Sequence, residues 1–179
     1  MAQTFIDNFT SFNSTLWNRE SYDDGGNAWW TTQSPYVDQI YTYPGHLDLA
    51  LINKPAGADD GGTGRQFLSG LIDTFNAPSN FTQQYGYWEF TVAVDRVPGL
   101  IWEVQILTTP TAGRSWQAFL FYIWTDSSGV QHTLQGCTGN GATFEITSND
   151  GYDARQIHTL GVNWTSSRVQ FYRDRALVV

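Results

Sequence analysis

The chain has 179 residues, a net charge of −8 and only 9 Lys and Arg residues. This balance disfavours nucleic acid, an anionic membrane surface and a strongly anionic polysaccharide as partners, because each of these attracts basic surfaces. The 8 Trp, 9 Tyr and 11 Phe residues can fill a core or offer flat platforms to sugar rings. We therefore expect a neutral polysaccharide or oligosaccharide as the partner.

Short runs of β-branched and aromatic residues, separated by Gly, Pro, Asn, Asp and Ser, predict an all-β chain. Their even spacing favours a sandwich or jelly roll over alternating strands and helices. No repeat or linker divides the sequence, so a single domain over 1–179 is expected. In chain order, the predicted strands are 46–52, 66–73, 85–94, 100–107, 117–124, 131–135, 158–164 and 168–173.

Alternation within the strand 85–94 separates two faces. One face is apolar and is predicted to be core, and it carries Trp88, Phe90, Val92 and Val94. The other face is half polar and could line a groove, which makes Glu89 a candidate for substrate binding.

The sequence gives little sign of a disulfide, a metal or a targeting segment. Cys137 is the sole cysteine, so no internal disulfide can form, and the first residues lack a signal-peptide pattern. The Asp- and Gly-rich loops at 23–26 and 59–62 could offer oxygen ligands to a structural Ca²⁺, but neither has calcium-loop spacing. No metal site or cofactor is therefore predicted. Trp29 and Trp30, which follow the first loop, are candidates for a sugar-stacking platform or for a buried edge.

Several segments, in order, resemble landmarks of glycoside hydrolase family 16, the laminarinases and lichenases. They are 5–9 with Leu16-Trp17, 67–74 with 85–90, 97–102, 130–135, and 157–165 with 171–174. The resemblance implies a two-sheet antiparallel jelly-roll sandwich of the concanavalin A type, a β-glucan-like ligand, and an extracellular or periplasmic location. Relatives continue beyond the last segment. The resemblance thus implies that this chain lacks the last strands. Either the chain is a fragment or shortened form, or a partner chain covers the edge at 176–179.

The family carries Glu-x-Asp-x-x-Glu on one strand, where the first Glu is the nucleophile and the last is the general acid/base. The best register places Gln117, Phe119 and Tyr122 at these positions, and the stretch 116–124 contains no acid. A retaining mechanism needs two carboxyl groups about 5 Å apart. The resemblance thus implies the fold and a sugar-shaped cleft without the hydrolytic groups, and it leaves Gln117 and Tyr122 as candidates for substrate binding.

Glu103 lies on the preceding strand among apolar residues, where an acid either faces a cleft or is costly to bury. It is the candidate catalytic acid, or alternatively a polar wall or one half of a salt bridge with Arg114 or Arg96. Gln105, on the same face, and Trp102 are further candidates for substrate binding.

Three functions stay open on the sequence. The first is carbohydrate recognition on a family 16 scaffold that does not cut its ligand. The second is a divergent hydrolase of O-glycosyl bonds that uses Glu103. The third is a structural or assembly protein that reuses the sandwich.

Overall fold

The structure is a computed structural model that describes residues 5–19, 30–31, 40–57, 66–107, 118–139, 142–148 and 153–178. The chain divides into two compact units, 1–83 and 84–179. The described residues contain strands, turns and irregular segments but no helix. The predicted all-β class is thereby confirmed, and the single domain over 1–179 stays a prediction.

The described residues of the first unit form seven short strands. They are β1 Asn18–Arg19, β2 Trp30–Thr31, β3 Ile40–Tyr43, β4 His46–Leu49, β5 Leu51–Asn53, β6 Phe67–Ser69 and β7 Ile72–Asp73. β1 pairs with β7, β3 pairs with β4, and β6 lies between β5 and β2, with a parallel pairing to β2. Pro44 and Gly45 connect β3 to β4, and Gly45 has a φ of 92°, which a glycine adopts without steric cost.

Asp7 connects the two parts of the first family-like segment, 5–9 and Leu16-Trp17. One carboxylate oxygen accepts a hydrogen bond from the backbone N–H of Phe9, and the other accepts one from the indole N–H of Trp17, each at 2.8 Å. The Trp17 ring meets the edge of Phe5 at 5.4 Å. The spaced aromatic residues are therefore held around a single acid.

The strands described in the second unit form two four-stranded antiparallel sheets. The first sheet has the order β12-β11-β10-β9, and the second has the order β15-β14-β13-β8. Their strands are β8 Gly86–Val92, β9 Ile101–Leu107, β10 Ala118–Thr125, β11 Gln131–Gly139, β12 Ala142–Ser148, β13 His158–Trp164, β14 Val169–Arg173 and β15 Ala176–Leu177.

A single apolar core lies between these two sheets. Phe121 of β10 is fully buried, and its ring meets Phe171 of β14 at 5.5 Å and Phe90 of β8 at 6.0 Å, both edge to face. Such geometry is the favourable one for aromatic pairs. The predicted core face of β8 is confirmed, because its apolar residues pack here. The buried members of the core are Val94, Phe121, Ile123, Ala154, Leu160, Val162 and Phe171.

The core-facing side of β11 is polar. Gln131 and Gln135 are buried on it. Gln131 accepts a hydrogen bond from the backbone N–H of Ala154 at 3.0 Å, and Gln135 donates one to the backbone oxygen of Tyr172 at 3.4 Å. Buried amides require such partners. The Gln135 bond links the two sheets, and the Gln131 bond holds β11 to the segment before β13.

The strands differ from the predictions in several places: β1, β2, β3 and β15 were not predicted, and β11 extends to Gly139 beyond the predicted end at 135. The predicted strand 46–52 is interrupted at Ala50, and the predicted strand 66–73 is interrupted at Gly70-Leu71. β12 was not predicted. The apolar end of the chain forms β15, which pairs with β14 in register Tyr172 with Leu177. A partner chain at this edge stays a prediction.

Candidate functional site

The outward side of the β9–β10 pair carries polar, aromatic and aliphatic side chains. β9 alternates in exposure, with Glu103 and Gln105 exposed and the intervening residues packed on the core. Opposite residues of an antiparallel pair share a face, and Tyr122 of β10 is opposite Glu103. Trp124 lies two residues further along, and His132 of β11 is opposite it. These residues, Glu103, Gln105, Tyr122, Trp124 and His132, are called the Glu103 face below.

Glu103 and Tyr122 form the centre of this face. They are hydrogen-bonded, with the phenol donating to the carboxylate. Desolvation by the surrounding protein raises the pKa of Glu103, and the hydrogen bond from Tyr122 opposes that rise. Glu103 is nevertheless accessible to solvent. Glu103 is therefore partly desolvated but still solvent-accessible, so its carboxyl group can contact a ligand.

Trp124 is held in place by a histidine and an acid. Its ring stacks on His132 at a centroid distance of 5.0 Å and an angle of 17°. The Nε2 of His132 donates to Asp126 at 2.8 Å. Asp126 also accepts hydrogen bonds from the hydroxyl and backbone N–H of Ser128 at 2.7 and 2.9 Å. Ser128 and His132 hold the pKa of Asp126 well below its usual range. The tight turn between β10 and β11 thus fixes the orientation of an aromatic ring beside Glu103.

The predicted site residues fall into three groups. Gln105, Glu103 and Tyr122 lie together on the Glu103 face. Trp102 and Phe119 pack against the core on the other side of the same two strands. The pairing of β10 with β9 is continuous. β10 therefore lacks the bulge that would bring Phe119 and Tyr122 to one face.

The other predicted residues lie elsewhere. Glu89 is on the outward side of β8 in the second sheet, so the core separates it from Glu103. Trp30 forms part of β2 in the first unit. Gln117, Trp29 and the two candidate calcium loops lie outside the described residues.

A second carboxylate near Glu103 is the feature that hydrolysis requires. The four strands of this sheet carry two acids, Glu103 on β9 and Glu145 on β12. Glu145 is opposite Gly136. Three inter-strand spacings, together roughly 14 Å, separate the backbones of β9 and β12. A retaining glycosidase places its two carboxyl groups only about 5 Å apart.

The described residues provide neither a metal centre nor a membrane span. No group of three or more His, Cys, Asp or Glu side chains in that part of the chain could hold a metal ion. The same residues include no helix of the length and apolar character needed to cross a membrane.

Solved glucanase structures share this fold. A laminarinase (endo-1,3-β-glucanase) catalytic domain from Thermotoga petrophila superposes with a TM-score of 0.76 at 16% identity, covering 97% of this chain and 73% of that one. A non-specific endo-β-1,3(4)-glucanase from family 16 superposes with a TM-score of 0.75 at 14% identity, covering 96% and 70%. The chain has the fold of glycoside hydrolase family 16.

A third structure agrees with this result. The Bacillus licheniformis β-glucanase superposes on this family 16 fold with a TM-score of 0.73 at 19% identity, covering 96% of this chain and 74% of that one. No protein-family model matches the sequence, and no curated protein matches it. The predicted two-sheet antiparallel jelly-roll sandwich is confirmed. Because the identities are low, the comparisons establish the fold and leave the activity to the site itself.

Two residues of the Glu103 face were missed by the sequence analysis. Trp124 stands two residues after Tyr122, and that spacing is the signal that places both on one side of a strand. His132 gave no such signal. Its place depends on the β10–β11 turn, which folds it back against Trp124.

Proposed function

We propose that the protein recognises a neutral β-glucan-like chain on the Glu103 face and does not hydrolyse it. The observation that carries this proposal is the makeup of β10, which sets Tyr122 opposite Glu103 and Trp124 beside them but contains no carboxylate. The family 16 fold supports a glucan-related scaffold, since the three solved structures compared above are glucanases.

The chemistry of the face supports a sugar as the ligand. The apolar side of a pyranose ring can stack on Trp124, whose orientation is set by His132. Sugar hydroxyl groups can donate to the Glu103 carboxylate and exchange hydrogen bonds with Tyr122 and Gln105. The net charge of −8 favours a neutral chain over an anionic one.

An assembly role receives less support from this face. If Phe119 and Phe121 covered the outward side, an apolar contact with another protein would be the better interpretation. Both instead belong to the core side of β10, where Phe121 is fully buried. The outward side carries Glu103, Gln105 and Tyr122, whose polar groups suit a hydrated ligand, beside the exposed aliphatic side chains of Ile101 and Leu107.

Hydrolysis that uses Glu103 is the second candidate. The raised pKa of Glu103 favours it, because a general acid must hold its proton near working pH. A partner carboxylate is still required to attack the sugar or to activate water. Glu145 is the other acid on these strands, so both acids need testing.

A binding and hydrolysis screen tests the proposal. The probes are a β-1,3-glucan and a mixed-linkage β-1,3-1,4-glucan, each measured by affinity electrophoresis and by release of reducing ends. We expect retardation without product, and less retardation for Trp124→Ala and Tyr122→Ala. The control is Ile157→Ala, which changes a side chain that is exposed away from this face.

Each result decides between the candidates. Product that disappears in Glu103→Gln or in Glu145→Gln would replace the proposal with hydrolysis. Absence of retardation on both glucans would overturn β-glucan recognition. Equal retardation of the wild type and Trp124→Ala would remove the Glu103 face from the binding surface.

A further inference from the structure

The outward side of the second sheet carries a second polar and aromatic cluster. Glu89 of β8 is opposite Gly161 of β13, and Gly161 is opposite Tyr172 of β14. Tyr87 lies two residues before Glu89 on the same side of β8, and Arg175 follows β14. These residues, Tyr87, Glu89, Gly161, Tyr172 and Arg175, are called the Tyr87 platform below.

The ring of Tyr87 lies across the backbone of Gly161. A methyl group added at Gly161 would come within 2.9 Å of the Tyr87 Cζ and closer still to the hydroxyl oxygen. A glycine inside a strand marks such a close approach, and here it lets the ring rest on the sheet. Tyr172 meets this ring edge-on at 5.9 Å and 76°. Tyr87 is still 46% exposed, so part of its ring faces solvent.

Charged groups border the ring on one side. Arg175 donates to both oxygens of Glu89, at 3.0 and 3.3 Å, and the Tyr87 hydroxyl donates to Glu89 at 2.9 Å. The Arg175 side chain is 76% exposed, so donors of its guanidinium group still face solvent. The Glu89 and Arg175 charges balance, and the cluster has no net charge that would select an ion.

We propose that the Tyr87 platform is a second carbohydrate site, which binds one ring of a neutral sugar chain by stacking on Tyr87. An exposed aromatic ring bordered by a carboxylate and a guanidinium group offers an apolar surface together with acceptors and donors for hydroxyl groups. This proposal goes beyond recognition on the Glu103 face, because the two sites lie on opposite sheets with the core between them. A short oligosaccharide cannot touch both, so each protein would hold two separate chain segments.

The test uses isotope-labelled protein and laminaritetraose or cellotetraose, followed by amide chemical shifts. In Trp124→Ala, which disables the Glu103 face, we expect saturable shifts at Glu89, Gly161 and Tyr172. Adding Tyr87→Ala should weaken this binding by roughly two- to tenfold, the size expected for loss of one ring-stacking contact. Thr91→Ala is the matched control, since Thr91 is exposed on the same side of β8.

A second variant keeps the proposal testable if Tyr87→Ala folds poorly. Arg175 has a φ of 64° in the two-residue turn between β14 and β15, where Asp-Gly is a preferred sequence. Arg175→Gly should therefore fold and retain the Tyr87 ring. Because it removes the guanidinium group beside that ring, it should weaken binding at the platform alone.

The outcomes separate the two sites. Shifts confined to the Glu103 face in the wild type, with none at the Tyr87 platform under saturation, would overturn this proposal alone. Shifts at the platform without any at the Glu103 face would support it and overturn the proposed function. Equal binding by Thr91→Ala and Tyr87→Ala would remove Tyr87 as the stacking surface.

Discussion

Replacing the neighbours Phe121 and Tyr122 tests the register on which the Glu103 face depends. Phe121 is fully buried, and it loses contacts with Phe90 and Phe171 when it is truncated. Phe121→Ala should therefore lower the free energy of unfolding by about 3–5 kcal/mol, as buried Phe-to-Ala changes do. Tyr122 is only half-buried, so Tyr122→Ala should cost about 1–2 kcal/mol, from one hydrogen bond and partial burial.

Guanidinium chloride denaturation measures both values, with the slope m compared between variants to show that the same surface unfolds. Tyr122→Ala should also weaken glucan binding while its fold persists. A shift of β10 by one residue would turn every side chain to the other face. Equal costs for the two variants, or a larger cost for Tyr122→Ala, would therefore refute the assigned register and the face built on it.

Two carboxyl groups and one glycine provide further tests. Glu103→Gln should stabilise the protein above about pH 4.5 and leave it unchanged in stronger acid, because desolvation raises the pKa of Glu103; thermal melts across pH measure this. Asp126→Asn should lose less stability than the wild type as the pH falls below about 4. The reason is that the pKa of Asp126 is lowered in the native state, chiefly by the hydrogen bond from Ser128; acid titration of both proteins measures this. Gly161→Ala should cost about 1 kcal/mol and couple to Tyr87→Ala in a double-mutant cycle.

The signs of these pH effects follow from proton binding. Between its usual pKa and its raised value, Glu103 binds more protons in the native state, so stability falls as pH rises. Asp126 behaves in the opposite way, and its contribution is lost as pH falls through its lowered pKa. A Glu103→Gln variant that loses stability at neutral pH would contradict the first sign. Additive costs for Gly161→Ala and Tyr87→Ala would contradict the close approach of ring and backbone.

Strand prediction succeeded for two long strands with an alternating pattern. These are β8 and β9, each of which exposes every second side chain. β1, β2 and β15 have two residues each, which is too few for an alternating pattern to be recognised. β12 does alternate in sequence, from Ala142 to Ser148, and could have been predicted from that signal.

The candidate site was predictable only in part. Alternation places Glu103 with Gln105, and the lack of acids on β10 is visible in the sequence itself. The expected register gave Phe119 the same role as Tyr122, yet Phe119 packs on the core. A local motif match does not reveal whether a strand contains a bulge, and one residue of slip reverses the faces.

The sequence by itself determined the all-β class, the apolar side of β8 and the absence of a carboxylate from β10, since each is a local property of residue order. Only the tertiary structure decided that Glu89 and Glu103 lie on different sheets, and that Trp124 rests on His132. Alternation predicts which side chains of one strand share a face, but it does not predict which sheet that strand joins. Sheet membership depends on pairings between distant strands, and those form where the whole chain buries its apolar surface together.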